Sequence, residues 1–305
     1  MNQGWVYRDR TTRCDAGLTL LEFYSQRYRH SSEAEWQARI LGGEVLVEGA
    51  IAPPDTILQP GQQLTYHRPP WQEPEVPLEF EVLYADADVI AVNKPSGLPV
   101  LPGGGFLEHT LLHQLKQRFP AADPVPVHRL GRGTSGMVLV ACSALAKTDL
   151  SRQWRESTSG ESRTLQKTYR ALVPDWSWPD EWLTFPIGKV PHPVLGYVYG
   201  ASPNGKHALS RVKVLHRRPA STVLEVEIFT GRPHQIRIHL AAAGHPLVGD
   251  PLYEVGGVAK LGRSPESCPV PGDIGYFLHA HRLEFRHPRS GEAIEVVAEP
   301  PEELV

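Results

Sequence analysis

Residues 131–136 are Gly-Arg-Gly-Thr-Ser-Gly, and residues 137–141 continue directly as Met-Val-Leu-Val-Ala. The glycine spacing matches the G-x-G-x-x-G pattern of dinucleotide-binding proteins, which requires a helix after the loop to face the pyrophosphate. Here the apolar residues after the loop predict a strand, and no strand–helix–strand unit surrounds them. The sequence therefore does not favour a nucleotide site at this loop. Since glycines permit positive φ and close backbone approach, and Arg129 and Arg132 flank the loop, it is either a plain tight turn or a turn lying against a phosphate or base.

Apolar patterns on both sides of this turn predict more strands than helices. Residues 224–228 alternate strictly, which is typical of a strand with one solvated face. Leu111, Leu115 and Phe119 share one side of a helix predicted over 110–119. Because many strands follow one another directly, the pattern predicts an α+β fold with mainly antiparallel pairing. Further strands are expected over 80–84, 89–92, 167–173, 276–285 and 293–297, an exposed helix over 144–156 and a further helix over 236–243.

The first 71 residues have a different pattern and predict a small domain. Short helices are expected over 18–24 and 34–40, followed by a strand over 44–49 that ends in a turn. Residues 68–77 contain four prolines. Prolines at this density support neither a helix nor a sheet ladder, so the segment is stiff and irregular. The predicted organisation is a small domain at 1–71, a proline-rich linker at 72–78 and a large domain at 79–305.

Composition excludes several classes of protein. The chain has 305 residues, 41% of them hydrophobic, with a net charge of −3. No apolar run approaches the roughly 20 residues that span a bilayer, and the polar N-terminus lacks a secretory signal, so a cytoplasmic protein is expected. The odd number of dispersed cysteines fits free thiols. Seven basic residues against two acidic ones between 203 and 240 permit one basic face, although on charge alone ordinary solvated surfaces are the preferred interpretation.

Two histidine groups are candidate metal ligands. His279 and His281 are two residues apart, and His234 and His239 bracket an apolar helix. Neither group has a third ligand at an informative spacing, and no cysteine pair accompanies them. Packed or hydrogen-bonded histidines are the preferred interpretation, and no metal site is expected.

Residues 230–240, Thr-Gly-Arg-Pro-His-Gln-Ile-Arg-Ile-His-Leu, join a strand to a helix through a glycine. This junction places Arg232 near the predicted start of the helix, where the helix dipole disfavours a cation. A residue that violates a local rule is a candidate for function. Arg232 is therefore expected either to pair with a carboxylate or phosphate in a cleft or to be an ordinary surface arginine.

Several motifs occur in a fixed order along the chain. They are residues 82–100 (VLYADADVIAVNKPSGLPV), 128–136 (HRLGRGTSG), 167–171 (KTYRA), 230–240, 244–253 (GHPLVGDPLY) and 278–283 (LHAHRL). Together these six blocks resemble the RluA/RluD type of RNA pseudouridine synthase over about residues 80–290. The small N-terminal domain loosely resembles a degenerate RNA-binding domain of the ribosomal-protein-S-four kind.

The resemblance implies a fold, an activity and partners. The fold is a bent, mixed, mostly antiparallel sheet with flanking helices and a central cleft. The enzyme would extrude a uridine from structured ribosomal or transfer RNA, detach the uracil and rejoin it through carbon 5, with no metal or cofactor. RNA is the expected partner, without a membrane, and the protein is expected to be a monomer.

The resemblance also implies roles for individual residues. Tyr169 would stack on the uracil and assist proton removal, while Arg232 would pair with the catalytic aspartate. Arg129 would help to flip the base, and Leu130 and Ile236 would supply an apolar lining. Further RNA- or base-binding residues are expected at Arg132 and Lys167.

The central departure from the family pattern is Gly131, which stands where the family carries its catalytic aspartate. Glycine has no side chain and is neither nucleophile nor base. Two hypotheses follow. In the first, the protein isomerises uridine with an altered arrangement in which another carboxylate enters the cleft, the nearest being Asp250, Asp149 or Asp123. In the second, an RNA phosphate fills the space and the protein binds RNA without catalysis.

Overall fold

The computed structural model describes residues 1–28, 30–160, 164–179, 181–262 and 267–305. The chain divides into two compact units, Met1–Glu73 and Pro74–Val305. The division falls inside the segment that the sequence predicts to be a linker. Within the described residues, no helix is long and apolar enough to cross a bilayer.

The N-terminal unit is a small antiparallel sheet with two short helices. Each helix begins at a capping box, in which Thr19 pairs with Glu22 and Ser32 pairs with Glu35, so backbone amides at both helix starts are satisfied. The elements are β1 (Trp5–Arg10), α1 (Leu20–Arg27), α2 (Glu33–Leu41), β2 (Val45–Val47), β3 (Ala50–Ile51) and β4 (Gln63–Arg68). The strands pair in the order β1-β4-β2-β3, around a core that includes Trp36.

The second unit contains the remaining strands and three helices among the described residues. In chain order the elements are β5 (Glu81–Ala85), β6 (Val89–Lys94), α3 (Leu111–Arg118), β7 (Val125–Pro126), β8 (Ser135–Ala141), α4 (Ala144–Ser159), β9 (Gln166–Val173), β10 (Trp182–Leu183), β11 (Ile187–His192), β12 (Gly196–Ala201), β13 (Ser210–Arg218), β14 (Ser221–Ile228), α5 (Gln235–Ala242), β15 (Tyr253–Glu254), β16 (Val258–Ala259), β17 (Leu278–Arg286) and β18 (Ala293–Val297).

Ten of these strands form one sheet in the order β10-β13-β14-β9-β17-β8-β6-β5, with β18 beside β17 and β7 beside β8. All pairings in it are antiparallel except that of β8 with β17. Gly136 through Ala141 are all buried, which explains why β8 is continuously apolar instead of alternating. The structure therefore confirms the prediction of an α+β fold with a mixed, mostly antiparallel sheet.

The turn before β8 is held from two sides. The Thr134 amide donates to the Gly131 carbonyl at 3.0 Å, which closes the turn. The buried Lys94 amine donates to the carbonyls of Pro95 and Leu98 at 2.8 Å each, and to that of Arg132 at 3.4 Å. A single lysine thus fixes the turn against the loop that follows β6.

Several details differ from the sequence prediction. The helix predicted to be exposed, α4, buries one face that includes Leu150 and Gln153, because the strands beneath it need a cover. Of the three glycines in the turn, Gly136 has positive φ, at +102°; the others serve close packing instead. Strands β1, β11, β12 and β13 were not predicted, since their charged and aromatic residues hide the alternation.

Candidate active site

A pocket of about 790 Å³ opens within the second unit, a volume in the range of small-ligand sites. The turn before β8, the C-terminal half of α4 and the start of β9 form one side. The segment leading into α5, the start of that helix and the β12 region form the other. Seven of the residues that the sequence predicted for the site line this pocket together: Arg129, Leu130, Gly131, Lys167, Tyr169, Arg232 and Ile236.

Arg132 is the predicted site residue that lies elsewhere. Its Nε donates to the Gly272 carbonyl at 2.8 Å, and its guanidinium carbon lies 5.5 Å from the centre of the Phe106 ring. Arg132 is not part of the pocket lining, because the tight turn sends its side chain away from that of Leu130.

Strand β9 supplies Lys167 and Tyr169, which share one face because side chains alternate along a strand. Burial raises the pKa of the Tyr169 phenol to about 12, so it remains protonated at neutral pH. Burial lowers the pKa of Lys167 to about 8. Its Nζ lies 5.2 Å from the centre of the Trp154 ring and has no hydrogen-bond partner in the protein.

The rings of His128 and Trp154 stack, with centroids 3.8 Å apart and planes 7° from parallel. The His128 Nε2 accepts a hydrogen bond from the Leu139 amide at 3.0 Å. Burial, assisted by the charge of Lys167, lowers the pKa of His128 to about 3. The imidazole is therefore neutral with its proton on Nδ1, which has no partner in the protein. It offers the pocket a donor but no acid–base group near neutral pH.

Helix α5 supplies Arg237, which forms a buried ion pair with Asp250. Its Nε and Nη2 donate to the two carboxylate oxygens at 2.8 and 2.7 Å, and the side chains are 3% and 1% exposed. The carboxylate also accepts from the amides of Leu252 and Tyr253 at 2.8 and 3.0 Å. The remaining nitrogen, Nη1, is buried without a partner. Both oxygens of this carboxylate are hydrogen-bonded, so Asp250 orients the arginine, and it is not part of the pocket lining.

Arg232 lies ahead of the helix instead of in its first turn. The helix begins at Gln235, and its N-cap, His234, has the left-handed value φ 54°. The Arg232 amide donates to Gln235 Oε1 at 3.0 Å, while its Nε donates to the His207 carbonyl at 2.8 Å. Arg232 therefore lies close to the start of the helix, and its side chain lines the pocket.

The pocket lining that the structure describes contains four cationic side chains and no aspartate or glutamate. Asp250 is committed to Arg237. Asp149 bonds to Arg152 and Gln153 on α4, and the exposed Asp123 pairs with Lys147 at 2.8 Å. None of the three carboxylates considered from the sequence lines the pocket.

Sequence reasoning did not single out five residues that shape this pocket: His128, Trp154, Thr158, Arg237 and Tyr276. A signal existed for Trp154, since a tryptophan within the polar sequence of α4 is unusual for an exposed helix. No sequence signal pointed to Tyr276, which reaches the pocket through a contact between distant parts of the chain.

Comparison with known proteins identifies the family. The family model described as RNA pseudouridylate synthase matches residues 88–242. An uncharacterized RNA pseudouridine synthase of Synechocystis sp. is 49% identical over 94% of this chain and 95% of the relative. RNA pseudouridine synthase 5 of Oryza sativa is 45% identical over 97% of this chain and 87% of the relative.

More distant relatives agree. Ribosomal large subunit pseudouridine synthase D of Neisseria meningitidis is 35% identical over 86% of this chain and 70% of the relative. The solved structure of human RNA pseudouridylate synthase domain containing 1 superposes with a TM-score of 0.56 at 25% identity, covering 75% of this chain and 87% of that one. The RluA/RluD resemblance is thereby confirmed: the chain belongs to the RNA pseudouridine synthase family, a family of isomerases.

Proposed function

We propose that this protein isomerises uridine to pseudouridine in structured ribosomal or transfer RNA, with the target uridine extruded into the pocket beside Tyr169. The observation that carries the proposal is the composition of the pocket. Its described lining combines cations with the aromatic rings of Trp154, Tyr169, Tyr197, Tyr199 and Tyr276. Unstacked bases are held by aromatic rings and phosphates by cations.

Six of the predicted residues have a place in this proposal. The ring of Tyr169 stacks on the uracil and its hydroxyl assists removal of the C5 proton, while Leu130 and Ile236 line the apolar side of the base. Arg129, which is exposed at the mouth of the pocket, enters the space that the extruded base leaves. Arg232 and Lys167 contact the flanking phosphates.

Unpaired polar atoms support a ligand of this kind. His128 Nδ1, Thr158 Oγ1, Lys167 Nζ and Arg237 Nη1 are buried in residues that line the pocket, and none has a hydrogen-bond partner in the protein. Burying a polar group unpaired costs about 1–3 kcal/mol. A nucleotide rich in oxygen acceptors would remove that cost on binding.

The assay is release of tritium from RNA that carries uridine labelled at carbon 5, since isomerisation replaces that hydrogen with the glycosidic bond. We expect release by the wild type and a loss of about 10²–10⁴-fold in Tyr169→Phe, the range typical of a missing acid–base group. Tyr84→Phe is the matched control, because the Tyr84 phenol bonds to Asp86 outside the pocket.

The same assay separates isomerase from silent binder. The lack of a carboxylate in the described pocket lining is the observation that favours a silent binder. No tritium release, together with intact RNA binding, would overturn the isomerase proposal and leave RNA binding alone. Mapping pseudouridine in ribosomal and transfer RNA from cells with and without the gene then identifies the substrate.

Compartment and assembly are further parts of the proposal. Cys14, Cys142 and Cys268 are all free thiols, which suits the reducing cytoplasm that we propose as its location. We propose that the protein acts as a monomer.

A further inference from the structure

The space beside Gly131 is occupied by another residue. A Cβ built on Gly131 would lie 2.9 Å from the Tyr276 hydroxyl and 3.5 Å from Thr134 Oγ1, with no other neighbour within 4 Å. Gly131 does not have the positive φ that favours glycine. The glycine is therefore needed for space: it lets the Tyr276 oxygen occupy the position where a side chain at 131 would begin.

Tyr276 is held rigidly in that position. The residue is 4% exposed and lines the pocket, and its hydroxyl lies 3.1 Å from Thr134 Oγ1. A Cβ on Gly133 would approach its ring to 2.8 Å, so a second glycine of the turn makes room for the ring itself. The two glycines leave space for the Tyr276 side chain, and the Thr134 hydroxyl lies within hydrogen-bond distance of its phenol oxygen.

The charges around this phenol favour chemistry at its oxygen. The guanidinium carbon of Arg237 lies 4.2 Å from the centre of the Tyr276 ring, and Asp250 fixes that guanidinium in place. A fixed cation stabilises negative charge that develops nearby during a reaction. The described pocket lining contains no carboxylate to oppose that effect.

We propose that Tyr276 Oη is the nucleophile of this protein and replaces the aspartate that the family carries at position 131. This inference rests on the proposed isomerase function. Tyrosine can act as a covalent nucleophile, including at the anomeric carbon of a sugar. Tyr169 and Thr158 also line the pocket, but the Tyr276 hydroxyl lies nearest to the Cβ position of residue 131, at 2.9 Å against 3.5 Å for Thr134 Oγ1.

The reaction balances without an oxidant or reductant. Tyr276 Oη passes its proton to water, and the fixed Arg237 guanidinium stabilises the developing phenolate. The oxygen bonds to ribose C1′ while the C1′–N1 bond breaks and its electron pair leaves with the uracil. The uracil turns, C5 bonds to C1′, and the Oη–C1′ electron pair returns to the phenol, which recovers a proton from water. C5 loses its hydrogen to water, and N1 gains one.

The first test compares Tyr276→Phe with wild type and with Tyr84→Phe in the tritium assay. The substitution retains the ring against Arg237 and removes one oxygen. We expect release to fall by about 10³-fold or more, with RNA affinity within about threefold of wild type because a single hydroxyl is lost. Release above one tenth of the wild-type rate would overturn the nucleophile and leave the isomerase function intact. A wild type without release would overturn both.

The second test restores the family arrangement. In Gly131→Asp/Tyr276→Phe, the nearest atom to the new Cβ would be Thr134 Oγ1 at 3.5 Å, an ordinary contact. We expect the double variant to release tritium at least about tenfold faster than Tyr276→Phe, a gain of about 1.4 kcal/mol in transition-state stabilisation. No gain in a folded double variant would contradict the exchange of roles between the two positions.

The third test detects the bond itself. RNA containing 5-fluorouridine, in which fluorine withdraws electron density from C5 and slows its attack on C1′ while Oη is still bonded there, is incubated with the wild type, and the digested protein is examined by mass spectrometry. We expect added nucleotide mass on the peptide that contains Tyr276 and none in Tyr276→Phe. An adduct on Tyr169 or Lys167 instead would overturn the assignment. A purely structural Tyr276 would give no adduct, and that result would overturn it as well.

Discussion

The two buried cations of the pocket differ in whether the protein supplies a partner for their charge. Arg237, on α5, has a carboxylate partner that accepts two of its hydrogen bonds. Lys167, on β9, is equally buried, yet its amine has no partner in the protein. Since burying an unpaired charge is costly, the first side of the pocket is built for stability. The second side keeps the unpaired Lys167 amine, and an RNA ligand can remove the free-energy cost of burying it.

This difference assigns separate tasks to the two sides. The Arg237–Asp250 pair fixes a guanidinium against Tyr276, and its two charges balance each other within the protein. Lys167 and Arg232 have no carboxylate partner among the described contacts and remain available to phosphates. A disruption on the first side should therefore unfold the protein, whereas a disruption on the second should mainly change binding.

The largest effect is expected from Asp250→Asn, which removes the negative charge that pairs with Arg237. The amide removes the negative charge and one acceptor, leaving Arg237 buried without a counter-charge. We expect the free energy of unfolding to fall by about 3–5 kcal/mol, measured by urea denaturation. The double variant Asp250→Asn/Arg237→Met should regain a large part of that loss because no unpaired charge remains. Equal losses in the single and double variants would contradict the role assigned to the pair.

A smaller effect of opposite sign is expected from Lys167→Met. Burial lowers the pKa of the Lys167 amine from its ordinary value of 10.5 to about 8. The unfolded chain therefore binds more protons between about pH 8 and 10.5, and the wild type gains stability as pH rises through that window. Below pH 8 the variant should be more stable than wild type by about 1–3 kcal/mol, and the gap should close toward pH 10.5.

The measurement for Lys167 is urea denaturation at pH 7 and at pH 10, with Lys213→Met as control because Lys213 is an exposed residue of β13. A stability gap that is unchanged between the two pH values would show that Lys167 is not a strained buried cation. The same variant should also bind RNA more weakly, since a phosphate contact is lost.

The smallest effect is expected from Arg232→Ala, which removes one of the cations that we propose to contact phosphates. Loss of one charge-assisted phosphate contact should weaken RNA binding about tenfold, or about 1.4 kcal/mol. It should also lower the slope of log affinity against log salt by about 0.7 for a single-stranded site. Arg152→Ala is the control, since Arg152 is exposed on α4 and already pairs with Asp149 and Glu156. Equal effects of both substitutions would contradict a specific role for Arg232.

Local sequence patterns predicted much of the architecture because local physics governs it. The alternation in β14 and the apolar run of β8 specified strands, and the run into β8 excluded a dinucleotide fold. The i, i+2 spacing placed Lys167 and Tyr169 on one face. The prediction failed where neighbours override local character: α4 was expected to be exposed, and the charged strand β13 was not predicted.

The candidate site shows the same division. The order of the motifs was sufficient to indicate the family, and seven predicted residues do line one pocket. The absence of a side chain at Gly131 was equally visible. What replaces it was not, because the carboxylates considered from the sequence, Asp250, Asp149 and Asp123, were chosen by proximity in motif or chain.

The sequence by itself determined the family, the antiparallel sheet and the glycine at position 131, since each depends on residue identity and short-range spacing. The tertiary structure decided which charges are paired and which oxygen stands beside that glycine. Those facts depend on β17 lying parallel to β8, which brings Tyr276 to the turn at Gly131. Contacts of this kind join residues far apart in the chain, and they are fixed by the packing of the whole sheet instead of by any local pattern.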